Sequence, residues 1–336
     1  MALSGLKFNL FAEVKPYLRL REELISYLSK HPNDWSKFQK NFNATLDKIY
    51  NDISQLEKDN FDKLESSLYK LKKIFEKRYR RYFLCGEFIK HSFEKPFGYA
   101  GDFKIIDEIY QNNPCTTGFD RLWDNYFQQL SASNAIRERK EDFKKIIFNF
   151  ARKFYGQEIR IMNLACGPAR EIKELIQNDT VGIFSKTIFD CYDFEKEAIN
   201  YAQNLLNASG NINFIQKNAI RLALNKNIKK EITHRYNLIY SAGLFDYLDK
   251  RIAIKLLSNL KQLLKKDGAV LIANAGDKYN NASAAWMEWV AEWHLIYRSE
   301  ENFKKLFIDA SFSQNNLQIM LQHNSRMMLY ALAKIA

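Results

Sequence analysis

Two hydrophobic periods divide the chain. Up to about residue 130, apolar residues return every three or four positions: Leu46, Ile49, Ile53 and Leu56, then Leu64, Leu68, Leu71 and Ile74 or Phe75. Such steps lay one apolar stripe along each helix. Asp34 or Ser36, and Asn43, are the helix starts this reading selects. No strand pattern intervenes, so 1–130 is expected to form a helical domain, either a substrate cap or an interaction surface. Asn60 and Ser67 interrupt the stripe, which favours a bundle over a coiled coil; a homodimer through these helices is the alternative use of the stripes.

Beyond a helix expected at Asn134–Tyr155, the pattern changes. Short apolar runs alternate with helical stretches. Strands are expected at Ile159–Leu164, Thr187–Tyr192, Asn213–Gln216, Tyr236–Ser241 and, after the turn Asp267-Gly268, Ala269–Asn274. Glu195–Ala208 and Arg251–Lys265 carry helical periods between them, and another helix starts at Ser299 or Glu300. Leu317–Leu321 and Met327–Ala333 read as a closing antiparallel hairpin. Alternation of strands and helices makes a parallel sheet. Residues 131–336 are therefore expected to be an α/β domain, a doubly wound sheet ending in a hairpin.

Two segments break the periods. In Glu94–Asp102, Pro96, Gly98 and Gly101 force a turn that presents Tyr99 and Asp102 ahead of a helix at Phe103–Tyr110. Asp102 is either the N-cap of that helix or a ligand-facing carboxylate. The second segment, Trp286–Arg298, holds three Trp, His294, Tyr297 and Arg298 just beyond the fifth strand. Helical spacing makes Trp286 and Trp289 core candidates, and leaves His294 and Arg298 as functional ones.

The chemistry concentrates in Ile159–Glu171, a strand, a turn of small residues and a helix. Small residues let main chain approach a ligand, and the helix N-terminus follows. There is no Gly-Lys-Ser/Thr and no full G-x-G-x-x-G, so neither a P-loop nor a dinucleotide site is indicated. The turn resembles motif I of class I S-adenosylmethionine (SAM) methyltransferases, acid-x-G-x-G-x-G. Here it reads Asn163-x-Ala165-x-Gly167-x-Ala169, departing at three of four positions. In an open α/β sheet ligands lie beyond the C-terminal strand ends. Asp193, one strand-helix-strand unit further on, is placed to accept from ribose hydroxyls, with Phe194 beside it. Asn218 and Ala219 follow the third strand as an adenine contact. Ser241, Ala242 and Gly243 end the fourth strand beside the expected methyl group, and Arg170 opens the helix after the turn.

Composition narrows the classes. The formal charge is +12 with pI about 9.3, and most basic residues are interspersed with acids. That pattern is a solvated Lys-rich surface rather than a nucleic-acid footprint, except for the basic stretch Lys72–Arg81. The fourth strand lacks the Asn/Asp-Pro-Pro-Tyr/Phe ending of amino-methylating DNA enzymes, and no Pro-Cys nucleophile appears. Four scattered cysteines without a C-x-x-C pair suggest reduced thiols in a cytoplasmic protein. No run is long enough for a membrane span, and no cluster has metal-ligand spacing.

Together, Lys95-Pro-Phe-Gly-Tyr-Ala-Gly-Asp102, Ala165-Cys-Gly-Pro-Ala-Arg-Glu171, Ser241-Ala-Gly-Leu-Phe-Asp-Tyr-Leu248 and Glu288–Arg298 resemble a bacterial SAM-dependent methyltransferase family. That family is described as making the extracellular factor 3-hydroxypalmitic acid methyl ester, a quorum-sensing signal. The resemblance runs from Lys95 to the C-terminus. It implies SAM as cofactor and O-methylation of a 3-hydroxy fatty acid carboxylate. Arg298 with Tyr99 is the expected carboxylate anchor, with Asp102, Trp289, Trp293 and Tyr297 lining the substrate. His294, Asp246 or Asp102 would serve as base for a hydroxyl or amine nucleophile. An N- or O-methyltransferase of another metabolite and a non-catalytic SAM-binding protein are the alternatives.

Overall fold

The computed structural model describes residues 3–207 and 211–335; Ala208 and the side chain of Leu64 lie outside the described residues. In chain order the helices and strands are α1 (Leu3–Leu28), α2 (Gln39–Arg78), α3 (Glu87–Glu94), α4 (Phe103–Gln111), α5 (Gly118–Gln129), α6 (Ser131–Arg152), β1 (Ile159–Leu164), α7 (Arg170–Gln177), β2 (Thr187–Asp193) and α8 (Lys196–Leu206). They continue as β3 (Ile212–Gln216), α9 (Ala219–Leu224), α10 (Ile228–Glu231), β4 (Tyr236–Ser241), α11 (Lys250–Gln262), β5 (Leu264–Ala275), α12 (Ala284–Trp289), α13 (Glu300–Asp309), β6 (Leu317–Leu321) and β7 (Met328–Lys334). The chain divides into two compact units. One holds the chain up to Asn134 together with Tyr279–His294; the other holds Ala135–Lys278 and the chain from Leu295 onward.

The helical unit is organised by α2, one continuous helix of 40 residues. Its stripe is buried at Phe42, Leu46, Ile49, Ile53, Leu68, Leu71 and Phe75, so Phe75 rather than Ile74 takes the inward position. Asn43 lies inside this helix and does not start it. Its amide turns sideways, accepting from Gln39 Nε2 at 2.7 Å and donating to Gln129. Tyr279–His294, after β5, belongs to this unit and not to the sheet. Trp289 is fully buried against Phe75 (ring centroids 5.6 Å), and its indole N–H donates to Glu57 Oε1 at 2.8 Å. Arg80, from the basic stretch, turns inward, donating to Trp289 O at 3.2 Å and Glu292 Oε1 at 2.6 Å.

The α/β unit is built on a seven-stranded sheet of order β3-β2-β1-β4-β5-β7-β6. β1 to β5 run parallel; β7 is antiparallel to β5, and β6 to β7. The central strands are buried on both faces, which is why they read as apolar runs without alternation. β5 starts earlier than its apolar run suggests. Leu264 already pairs with Tyr236, and Asp267-Gly268 is a bulge inside the strand where the register shifts. A Cβ on Gly268 would stand 2.8 Å from Lys265 O and 3.0 Å from Tyr236 O, so only glycine fits that close approach.

One buried polar cluster ties the sheet together at its centre. Asp190 on β2 is fully buried and accepts four hydrogen bonds: Arg160 Nε at 2.7 Å and Nη2 at 3.1 Å, Tyr236 Oη at 2.8 Å and Asn213 Nδ2 at 2.8 Å. These partners come from β1, β4 and β3. Breaking a buried pair from one side costs about 3–5 kcal/mol, because the other charge is left without compensation. Asp190→Ala is expected to lose that much stability in urea titration. A loss under about 1 kcal/mol would remove the cluster from the fold's essential contacts.

Candidate active site

The turn after β1 has the geometry its small residues announce. Ala165, Gly167 and Ala169 have φ of 56°, 52° and 52°, the left-handed region, at alternate positions. Alanine stands at two of these three positions and still adopts the conformation usually left to glycine. Asp193, the last residue of β2, reaches across to this turn. Its Oδ2 accepts from Gly167 N–H at 2.9 Å and its Oδ1 from Glu195 N–H at 3.1 Å. Burial pushes the Asp193 carboxyl above its ordinary pKa, and the main-chain N–H groups oppose that shift.

Motif I departs from its usual form at Asn163, but an acid is still present. Asn163 Nδ2 and Tyr240 Oη both donate to Glu171 Oε1 at 2.8 Å. The carboxylate has moved from the strand to the first turn of α7. Burial raises the Glu171 pKa, with the hydrogen bonds from Tyr240 and Asn163 acting against it. Glu171 and Tyr240 were not among the sequence candidates. An acid in the first helical turn is the ordinary N-terminal preference, so it carries no distinguishing signal.

The register Asp193↔Gln216 brings the ends of β2 and β3 side by side. Just beyond them, Phe194 and Ile220 are 49% and 48% exposed, large apolar side chains in an unusual setting. Asn218 Oδ1 caps α9, accepting from Ile220 N–H at 2.9 Å and Arg221 N–H at 3.1 Å, and Ala219 is the first residue of that helix. Ser241 Oγ donates to Leu164 O at 2.7 Å and locks the end of β4 to the end of β1. Ala242 and Gly243 follow, and Arg170 opens α7 on the far side of the turn.

Past β4, Asp246 lies buried in a short 3-10 turn, Leu244–Tyr247. Its Oδ1 accepts from Ala275 N–H at 2.6 Å, and its Oδ2 faces Arg139 Nη1 at 3.8 Å. Burial lifts its pKa from 3.8 to about 6, with Arg139, the Ala275 N–H and Arg298 opposing. Arg298, the expected substrate anchor, is a correction. Its Nη1 donates to Phe245 O at 2.7 Å and to Asn274 Oδ1, and its Nη2 to Leu248 O. The fork is spent on main chain around the 3-10 turn, which makes Arg298 a clamp. Arg139 is the arginine that sequence reasoning missed. The signal was available: Arg139 falls in the buried stripe Ile136, Phe143, Ile147 of α6, where a cation is out of place.

Of the remaining candidates, Tyr297 is half-buried in the α/β unit, while Tyr99, Asp102, Trp289, Trp293 and His294 belong to the helical unit. Asp102 is fully buried and caps α4, its Oδ1 accepting from Lys104 N–H and Ile105 N–H at 3.0 Å each. Its Oδ2 lies 2.7 Å from His91 Nε2. The capping alternative therefore describes Asp102, and a ligand-facing role does not. Trp289 is core, as its helical spacing indicates, and does not line a ligand. Trp293 is buried, with its main-chain N–H donating to Met287 O at 2.7 Å. Tyr99 is half-buried on its turn. His294 is exposed; partial desolvation, then the Lys72 ammonium, holds its imidazole below the usual pKa, against Glu288 and Glu292.

A parallel sheet extended by an antiparallel terminal hairpin, with small-residue turn and acid at its C-terminal edge, is the class I methyltransferase fold. The chain belongs to the family described as "Putative methyltransferase", which matches residues 45–319. It is a SAM-dependent methyltransferase. Among solved structures, a protein from Bordetella parapertussis described as a possible exported protein shares 16% identity over 69% of this chain and 79% of that one, with TM-score 0.54. A protein from Thermobifida fusca YX described as a "putative methyltransferase" shares 11% identity over 68% of this chain and 92% of that one, with TM-score 0.51. Both likenesses are of fold. Among curated proteins none matches the chain.

Two outcomes are expected from the site itself. Ala165→Gly removes a left-handed Cβ conflict of about 1–2 kcal/mol and adds roughly 0.4–1 kcal/mol of unfolded-chain entropy. The variant should be as stable as the parent or up to about 1 kcal/mol more so, and should still bind SAM by calorimetry. A clear loss of stability would mean that the Ala165 methyl is needed for packing. Asp246 has a folded pKa above its unfolded one, so its stabilising effect is full below pH 3.8 and is lost as pH rises through about 6. Relative to Asp246→Asn, the parent should lose up to about 3 kcal/mol of stability between pH 4 and 7, at about 1.4 kcal/mol per pKa unit. Parallel stability curves for the two proteins across that range would refute the assignment.

Proposed function

We propose that the protein transfers the SAM methyl group to a carboxylate of a small molecule, a 3-hydroxy fatty acid being the leading candidate, and so makes a methyl ester. The observation that carries this reading is the state of the acid beyond β4. Asp246 is held by Ala275 N–H on one oxygen and faces Arg139 with the other. Its second oxygen faces a cation. A carboxylate nucleophile fits such a site, because it is already ionised at neutral pH and asks for no base. Rate then comes from orientation and exclusion of water, and orientation alone is worth about 7–11 kcal/mol in favourable cases.

In this reading Asp193 lies against the ribose. Asn163, Ala165, Gly167, Ala169 and Arg170 form the main-chain cradle, and Ser241, Ala242 and Gly243 border the methyl group. Phe194 and Ile220, exposed beside Asn218 and Ala219, suit the two faces of an adenine ring, which would cover both. A second reading draws on the pKa of about 6 at Asp246, which suits a general base acting on a hydroxyl.

The test is transfer of labelled methyl from SAM to 3-hydroxypalmitate and to other carboxylic and hydroxylic metabolites. A base-labile ester that releases labelled methanol in alkali is expected. Label in an alkali-stable ether or amine, with no ester, would sink the carboxylate reading, and its loss in Asp246→Asn would favour the second. Among the described residues no group of three or more His, Cys, Asp or Glu is placed to hold a metal. Turnover is expected to persist in EDTA; loss restored by magnesium would contradict that.

A further inference from the structure

The parallel strands of the α/β unit also have an N-terminal edge, opposite the one that carries the candidate site. Lys153 opens the loop into β1, Lys186 precedes β2 and Arg235 precedes β4. Lys265 and Lys266 stand at the start of β5, and Lys334 ends β7 beside Ala269. The acids next to these strand ends are Glu158 and Asp267. Asp179, in the loop before β2, turns back on that loop and accepts from Ile183 N–H at 2.9 Å and Phe184 N–H at 2.7 Å. Two of the cations spend donors on main chain: Lys186 Nζ on Gly156 O at 3.1 Å, and Arg235 Nη1 on the carbonyls of Ile232, Thr233 and His234. The strands adjoin in the order β2-β1-β4-β5-β7, so at about 4.8 Å per strand this makes a basic row about 20 Å long.

Two large apolar side chains stand in the same row. Tyr155 is 62% exposed and Val181 60% exposed, in the loops before β1 and β2. Tyr155 Oη donates to Val181 O at 3.4 Å, and the Lys186 bond to Gly156 O joins the same loops. Each is followed by a glycine in the left-handed region, Gly156 at φ 80° and Gly182 at φ 75°. A Cβ at Gly156 would meet nothing within 4 Å, so this glycine serves the turn and not the packing. We propose that this edge docks on an anionic lipid bilayer. A bilayer presents anions in a plane, and a row of cations meets many of them at once. Tyr155 and Val181 enter the headgroup layer, where an amphipathic ring and an aliphatic chain are both favoured. A nucleic acid would use the same cations and leave Val181 exposed to water. The docking does not depend on the methyl acceptor, and Asp193 lies at the opposite end of its strand.

Co-sedimentation of the full chain with phosphatidylcholine vesicles, with and without phosphatidylserine, tests this. Binding is expected only where phosphatidylserine is present, and it should fall as salt is raised. A cation near an anionic surface is worth about fivefold in partitioning, so Lys265→Gln/Lys266→Gln should weaken binding about thirtyfold. Tyr155→Ser/Val181→Ser should weaken it at every salt concentration, because the apolar contribution is not screened. Lys250→Gln/Lys255→Gln, at exposed positions of α11, is the charge-matched control and should bind as the parent does. SAM affinity should be unchanged in all three variants, which shows that they fold. No binding to phosphatidylserine vesicles, an equal loss in the control, or binding to RNA in place of vesicles would overturn the proposal.

Discussion

The hydrogen bond from Gly167 N–H to Asp193 Oδ2 is the contact on which the turn after β1 depends. It joins the end of β2 to the turn after β1, across a pair of parallel strands whose register sets the distance. The same carboxylate also holds Glu195 N–H at the start of α8. One buried acid thereby shapes two loops. The turn is a main-chain construction, and its conformation is imposed from outside as much as by its own residues. That explains how Ala165 and Ala169 occupy positions where glycine is the usual occupant: strain of about 1 kcal/mol each is tolerable in a turn that a strand, a helix and a carboxylate all constrain.

A second arrangement organises the edge beyond β4. Asp246 lies between Arg139 and Arg298, all buried. The acid is held by β5 through Ala275, and Arg298 ties the carbonyls of the same turn to Asn274, also on β5. A low-dielectric setting makes each of these charges expensive alone and mutually dependent together. The result is an edge beyond β4 in which each charge depends on the others. The acid of motif I is handled in the same economical way, since Glu171 on α7 replaces a strand carboxylate and Asn163 becomes its donor.

Much of this architecture was legible from periodicity. The strands β1, β4 and β6 fall where the apolar runs place them; β1 and β4 are central and largely buried on both faces, while β6 is a half-buried edge strand. The turn was legible in its small residues, while the place of Asp102 ahead of an apolar helix left capping as one of two alternatives. The aromatic segment was harder. Its composition suggested a ligand surface, yet Trp289 is enclosed by Phe75 and Glu57, and Arg80 reaches it from 209 residues away in sequence. Such partners leave no trace in local spacing.

Residue type and period thus determined the elements, their order, the class of sheet and the chemistry available at its C-terminal edge. They did so because backbone conformation and one-sided or two-sided burial are local demands, written into each segment. Which charged group performs which task was decided only by the tertiary structure. Neither Arg298, which follows Tyr297, nor Arg139, which lies between Glu138 and Lys140, carries a local mark of its task. Long-range packing puts one on the carbonyls of Phe245 and Leu248 and the other on Gly243 at the end of β4. A side chain's role depends on the acceptors that the folded chain brings within about 3 Å of it, and these come from strands and helices far away in sequence.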